Sequence, residues 1–309
     1  MDTLSLILDD IHLKGAVFRE CELAAPWALQ LHTPGLASFH IVTRGQAWLL
    51  REGEAPLPLQ MGDLVLLPRG IPHRVQDSAG SLAAPRDLLP ELDRSTEEPL
   101  SLEEEGGTET RLLSGYFRFD VELARPLMTA LPQLLHLRSL GDSPPVWLRA
   151  GLAFIADEFR RLRPARQAIV NRVADIMLME FLRHHVEGLP EGSGSWLLAL
   201  RDQALSAALS AMHREPQRSW SVPELADIAC LSRSAFADRF TQVMGQPPLA
   251  YLTEHRMRLA AWQLRSGSQP VARIAEASGY GSETAFSQAF KRAYGASPSA
   301  WRKGEGQVS

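Results

Sequence analysis

Residues 225–248 read LADIACLSRSAFADRFTQVMGQPP, and residues 274–298 read IAEASGYGSETAFSQAFKRAYGASP. Laid over each other they are one motif written twice. Leu225-Ala226 aligns with Ile274-Ala275 at an offset of 49, and Phe236, Phe240, Gly245 and Pro248 align with Phe286, Phe290, Gly295 and Pro298 at an offset of 50. The one-residue slip falls in a turn. Each copy opens with an apolar-and-small helix, breaks at Cys230-Leu231-Ser232 or Gly279-Tyr280-Gly281-Ser282, and continues into a second helix marked by Phe at i and i+4. This spacing predicts a helix-turn-helix in each copy. Small residues let the two helices cross closely, and the turn aims the second into a groove of double-stranded DNA.

Helical geometry then assigns the outward face. If Phe236 and Phe240 are buried, the opposite stripe is Ser234, Ala237, Asp238 and Thr241; in the second copy it is Thr284, Ser287, Gln288 and Lys291. Gln288 suits an adenine edge, the hydroxyls suit a base or a phosphate, and Lys291 neutralises a phosphate. Asp238 has the wrong charge for phosphate unless it accepts from a cytosine amino group, so Arg233 and Arg239 are expected to hold the DNA backbone. Between the copies, Leu249–Leu264 runs without Gly or Pro. A helix of about 16 residues is about 24 Å long, and with side-chain reach it sets the two reading helices about one DNA turn, roughly 34 Å, apart. A helical bundle with an accidental repeat is the alternative. Two motifs in register weigh against it.

The chain has 309 residues, 45% of them apolar, which suits two domains at about 150 residues each. Its net charge of −4 excludes an obligately polybasic protein, yet the charge is unevenly distributed: residues from Trp196 onward carry +4 and those before it −8. One polyanion-facing module joined to an acidic remainder has this signature. Cys21 and Cys230 lie too far apart for a disulfide framework. Asp2, Asp9 and Asp10 stand where a signal peptide needs positive charge, and no apolar run reaches the roughly 18 residues of a membrane span. The expected setting is cytoplasmic, with no membrane partner.

Residues from about 10 to 80 read as short strands: Val17-Phe18, Trp27–Leu31, Phe39–Val42, Gln46–Leu50 and Leu64–Leu67, punctuated by Pro34-Gly35, Gly45, Gly53 and Gly62-Asp63. Acidic residues among Pro, Ser and Gly over 81–110 predict a mobile insertion, after which Gly115–Phe119 resumes the sheet. Helical spacing takes over near Pro145, first at Trp147, Leu148, Leu152, Ile155 and Phe159, then at Ile169, Val173, Ile176, Met177 and Phe181. The second helix is apolar on more than one face, as in a helix sandwiched between neighbours, and suggests a dimerisation surface. His184, His185 and His213 have no spaced partner and read as solvent-facing or packing residues. Residues 188–195 form a Gly-rich linker.

The stretch Gly279–Arg292, with Gly295-Ala296-Ser297-Pro298 and Trp301-Arg302, resembles the C-terminal signature of the AraC/XylS transcriptional regulators, over about Trp196–Lys303. The resemblance implies DNA contacts through Ser234, Ala237, Asp238, Glu283, Thr284, Ser287, Gln288 and Lys291, with Ser282 beside them. Family members often carry Arg or Lys in place of Asp238 and Tyr in place of Trp301.

Gly62-x5-Pro68-x-Gly70-x2-His73 matches the second motif of the cupin barrels, with a Pro-Gly turn that swings His73 into the barrel mouth. Cupin enzymes complete a metal site with His-x-His and Glu on an earlier strand. Here only His40 stands near that place, so His40 and His73 fall short of the three ligands usual for a catalytic metal. A structural role is preferred, a metal ion remains the alternative, and His32 is a conceivable third ligand. No other cofactor is expected. Trp27, Phe39 and Trp48, with His40 and His73, are candidate linings of an effector pocket; ordinary barrel core is the other reading. The resemblance also implies that relatives pair a cysteine near Cys21 with one at the place of Ser114. That leaves Cys21 a lone thiol, and Cys230 reads as a small buried residue.

The expected fold is therefore α+β and multidomain: a cupin-like β barrel over 1–120 (81–110 the acidic insertion), a helical dimerisation region over 121–187, a linker at 188–195, and a double helix-turn-helix domain over 196–303. The expected protein is a non-enzymatic, effector-responsive transcriptional regulator, an activator, working as a homodimer on promoter DNA with RNA polymerase and a small-molecule effector. The alternative is a metal-dependent cupin enzyme, a dioxygenase or isomerase, with a regulatory helical tail.

Overall fold

The apolar runs ahead of residue 120 do build strands, and the strands pair into two sheets. The computed structural model describes residues 2–94, 98–102, 109–138, 146–161 and 164–304. In chain order its strands are β1 (Ala16–Ala24), β2 (Ala28–Leu31), β3 (Ala37–Arg44), β4 (Gln46–Arg51), β5 (Leu57–Gln60), β6 (Leu64–Leu67), β7 (His73–Gln76), β8 (Arg86–Asp87), β9 (Leu100–Leu102), β10 (Glu109–Phe117) and β11 (Leu135–Leu137). One sheet runs β11-β6-β3-β10-β1-β9 and the other β5-β4-β7-β2-β8.

Strand β3 shows why the first sheet is apolar on both faces: six successive residues from Ala37 are buried. With a side-chain period of two, Val42 joins Val65, Leu112, Trp27, Leu49 and Val75 in the core between the sheets. Phe39 and Ile41 face the other way. They meet Leu66, Leu113 and Phe117 from the same sheet and Ile155, Met177 and Phe181 from two covering helices, α4 (Val146–Arg161) and α5 (Arg166–Glu187).

This layering corrects the reading of 121–187 as a separate helical region. β11 pairs antiparallel with β6 inside the sheet. The apolar faces of α5 are spent within the chain: Val170, Met177, Leu178, Phe181 and Leu182 are buried, while Ile176 on α5 and Phe154 on α4 remain about half exposed. The acidic insertion also differs from its composition. Its described part contains β8, the short helix α2 (Leu89–Leu92) and β9, and Leu88, Leu92 and Leu100 sit in the core between the sheets. A few well-spaced leucines anchor the segment despite its acidic average. Residues 95–97 and 103–108 of that insertion lie outside the described residues.

The chain divides into two units, one comprising residues 13–121 and 125–183, the other residues 1–12, 122–124 and 184–309. The first twelve residues, with helix α1 (Thr3–Asp10), therefore belong with the C-terminal helices and not with the barrel. Residues 188–195 form no helix or strand.

The C-terminal helices are α6 (Gln203–Arg214), α7 (Val222–Ile228), α8 (Arg233–Met244), α9 (Pro248–Ser266), α10 (Val271–Ala277), α11 (Glu283–Tyr294) and α12 (Pro298–Arg302). Serines start them. Ser232, Ser282 and Ser297 each accept the backbone N–H three residues on, and Ser221 forms a reciprocal capping box with Glu224. Two cores result. Leu205, Leu209, Leu225, Phe236 and Phe240 form one; Ile274, Ala275, Phe286, Phe290 and Trp301 form the other. Helix α9 serves both, giving Tyr251 and Leu252 to the first and Met257, Ala261 and Leu264 to the second.

Candidate nucleic-acid interface

Each repeat folds as two helices joined at a tight turn: α7 to α8, and α10 to α11. The turn needs a left-handed residue. Gly279 supplies it at φ 76°, while the first copy uses Cys230 at φ 54°, where a side chain is strained. Cys230 is exposed, which corrects the expectation that it is a small buried residue. The break between the helices, not the core, sets its position.

All four phenylalanines are fully buried, with ring centroids 5.6 Å apart for Phe236–Phe240 and 5.7 Å for Phe286–Phe290. The opposite faces are open. On α11, Glu283, Thr284, Gln288 and Lys291 are exposed and Ser287 half-buried; on α8, Arg233, Ser234, Asp238 and Thr241 are exposed and Ala237 half-buried. Ser282 caps α11 through Ala285. Lys291 and Arg233 make no ion pair among the described residues, so their charge faces outward unneutralised.

Arg239 departs from its assignment. Its guanidinium donates to Asp202 at 2.7 Å, and Asp202 is the N-cap of α6. At 100° per residue, Arg239 lies about 150° around α8 from the centre of the Ser234–Thr241 stripe. It ties α8 to α6 and cannot share the face that carries Asp238. The aromatic swap at Trp301 is accommodated: the ring is buried, its Nε1–H donates to the Ala261 carbonyl at 3.3 Å, and Arg265 lies 4.0 Å from its centroid.

In the barrel, the five candidate pocket residues do not converge. Trp27 is core between the sheets. Phe39 lies on the opposite face, 4.9 Å from Phe117, beneath α4 and α5, where the remaining void is only about 20 Å³. Trp48 is half-buried and alternates with the core residues Ala47 and Leu49, which turns it to the outer face of the second sheet. Only His40 and His73 meet, Nε2 to Nε2 at 2.7 Å.

The hydrogen bonds around this pair assign its tautomers. His73 Nδ1–H donates to the Ile71 carbonyl at 2.7 Å, leaving His73 Nε2 to accept from His40 Nε2–H. His40 Nδ1 then accepts the Ser114 hydroxyl at 2.8 Å, across the register pairing His40 with Ser114. All four ring nitrogens are used, and among the described residues no carboxylate, thiol or third imidazole completes a metal-binding group here. His32 is exposed and lines an open polar cleft of about 670 Å³ with Arg51, Glu52, His73, Arg74 and Asp87. Burial pushes the Cys21 thiol up to about 12, and Ser114, the place of its expected partner, is committed to His40.

Burial also holds the pair neutral. His40 is driven well below the ordinary imidazole range, with His73 adding to the effect. His73 falls to about 4, chiefly by burial, against the opposing pull of the Ile71 carbonyl. The unfolded chain takes up protons near 6.5 that the folded barrel refuses, so stability is intact above that pH and is lost as pH falls toward 4. Melting curves should therefore show the barrel's transition dropping between pH 7 and pH 5, and a double His40→Gln/His73→Gln variant should lose most of that slope.

Sequence spacing gave no sign of one polar cluster. His213 Nδ1 lies 2.5 Å from an Asp10 oxygen and its Nε2 lies 2.8 Å from the Tyr251 hydroxyl, with the His255 ring tilted against it at 4.2 Å between centroids. Residues about 200 positions apart carry no periodic signal. His213 is thus neither solvent-facing nor without a partner.

Comparison with known proteins agrees with the geometry. A family described as Cupin matches residues 2–187, and one described as Helix-turn-helix domain matches residues 225–304. The transcriptional regulator AlkR of Acinetobacter baylyi is 35% identical over 98% of this chain and 99% of its own. RclR of Escherichia coli K12, an RCS-specific transcriptional activator, is 30% identical over 98% of each chain. MtrA of Neisseria gonorrhoeae is 28% identical over 99% of this chain and 100% of its own. These relatives are regulators and not enzymes, which sets aside the dioxygenase or isomerase alternative. Two helix-turn-helix units behind a cupin barrel, matched end to end by such relatives, place this chain in the AraC family of DNA-binding transcriptional regulators with an N-terminal cupin domain.

Proposed function

We propose that this regulator reads two consecutive major-groove segments of promoter DNA with α8 and α11, and that most base discrimination comes from α11. The observation that carries this reading is the repeated pairing of a buried Phe pair with an exposed polar stripe on the opposite side of the same helix. α9 spans 19 residues, about 28 Å, which supports a separation near the roughly 34 Å of one DNA turn. On α11, Gln288 presents a carboxamide to a base edge, Thr284 and Ser287 present hydroxyls, and Lys291 presents a charge to phosphate. On α8, Asp238 restricts direct reading to a cytosine amino group, and Arg233 holds the backbone.

A site selected in vitro with the full chain provides the test. Gln288→Ala should cost about 1–3 kcal/mol at one base position and relax preference there. Lys291→Ala should weaken all sequences alike and reduce the salt slope by about 0.9. Anisotropy titrations over single-base variants at several salt concentrations read both effects. Wild-type affinity and slope in both variants would overturn the assignment.

The sensing role falls to the barrel. The cleft beside His32, Arg51 and His73 supports a small polar effector, whose binding need only bias the arrangement of the DNA-binding units. A homodimer rests on a narrower basis than the sequence suggested, namely the exposed parts of Phe154 and Ile176. Contact with RNA polymerase, and activation of transcription in the cytoplasm, extend the same reading.

A further inference from the structure

We infer that Asp10, His213 and His255 form a binding site for a zinc-class divalent cation, which clamps the N-terminal helix α1 to α6 and α9 of the DNA-binding unit. The ligand atoms are an Asp10 carboxylate oxygen, His213 Nδ1 and His255 Nε2, all within 4.8 Å of one another. Two imidazoles and a carboxylate are the donor set of an open zinc site.

Three observations point to a cation rather than to a hydrogen-bonded staple alone. First, His255 is 3% exposed, and its Nε2 is buried with no hydrogen-bond partner. It is aimed at the Asp10 carboxylate from 3.7 Å, too far for a hydrogen bond. Such an orphaned nitrogen is costly in a protein interior, and a metal would satisfy it. Second, the outer support is in place. A histidine that binds metal through one nitrogen donates the other N–H to a fixed acceptor. His213 offers Nδ1 to the site, while its Nε2 lies 2.8 Å from the Tyr251 hydroxyl. Loading the site needs only a tautomer change, after which Nε2–H donates to the Tyr251 oxygen. Third, the Asp10 side chain is 27% exposed, which leaves an entry path and room for water in the remaining position.

The two Asp10 contacts need little adjustment, and the two imidazole nitrogens already lie within 4.8 Å of each other. Zinc with bonds of about 2.0–2.1 Å sets tetrahedral ligand atoms roughly 3.3 Å apart. The Asp10–His213 contact opens by less than about 1 Å, and the His255 contact closes by less. Burial, reinforced by His213, Arg258 and Arg256, keeps the His255 imidazole neutral, the form that binds metal. Docking of α1 does not depend on the metal, because Thr3 donates to the Ser206 carbonyl at 2.8 Å and its hydroxyl lies 2.6 Å from that of Ser210.

The test uses the full chain, stripped with a chelator and titrated with Zn²⁺ against a chromophoric competitor. Wild type should bind one tight equivalent, and zinc should raise its melting temperature by several degrees. Asp10→Asn keeps an oxygen for His213 and the Thr3 contacts, so it should fold. It should weaken zinc more than about 100-fold and abolish the thermal shift. His255→Gln should do the same, and Co²⁺ should give a four-coordinate spectrum in wild type only. Absence of a tight equivalent in wild type, or equal affinity in Asp10→Asn, would overturn the inference and leave the cluster a hydrogen-bonded staple.

Discussion

Phe290→Ala is expected to lower stability by about 3–5 kcal/mol and to abolish specific DNA binding. The ring is fully buried, with centroids 5.7 Å from Phe286, 4.8 Å from Tyr294 and 6.0 Å from Trp301. These partners come from α11 itself and from α12, so the cavity cannot close without moving the helix that carries Gln288 and Lys291. Urea unfolding followed by tryptophan fluorescence measures the loss, because Trp301 borders the cavity. Phe240→Ala should act alike on α8, since that ring packs against Phe236 and Tyr251. A cost below about 1 kcal/mol for either variant would mean that these rings do not anchor the reading helices.

The second large effect is expected in the barrel. Gly70 sits in the turn between β6 and β7 at φ +57°, and a Cβ there would lie 1.9 Å from the Thr33 carbonyl oxygen and 2.5 Å from that of Leu36. Both obstacles are backbone. The turn is also pinned, because the Gly70 N–H donates to Leu67 and its carbonyl accepts from Thr33, each at 3.0 Å. Gly70→Ala therefore adds left-handed strain to a clash that no side-chain rotation relieves, costing about 3 kcal/mol or more. That corresponds to a fall of about 10 °C in the barrel's melting temperature. An unchanged melting temperature would show that the turn can shift as a body.

The DNA-binding half was legible because its information is local and written twice. The Phe pairs, the breaks at Cys230 and Gly279, and the uninterrupted 249–264 segment each fix a helix or its end within a few residues. The barrel was partly legible. β2, β3, β4 and β6 announced themselves as apolar runs, but a run such as β3 is apolar on both faces, and only the covering helices decide that Phe39 looks outward while His40 looks inward. Composition misled over 81–110, because averaging hid Leu88, Leu92 and Leu100. Arg239 misled for a similar reason: its position beside the reading face was plain, but its partner Asp202 lies 37 residues away. The Asp10–His213–His255 cluster joins three helices distant in sequence, and no spacing rule reaches it.

Helix α9 is a single uninterrupted rod that supplies side chains to both small cores. The two readers therefore share one axle, and neither can be turned or slid along a duplex without disturbing the packing of the other. A target with one base pair inserted between its two halves would swing the second half by about 35° around the helix. If α8 and α11 read DNA as proposed, the spacing of the two halves of a target is set by the length and pitch of this one segment.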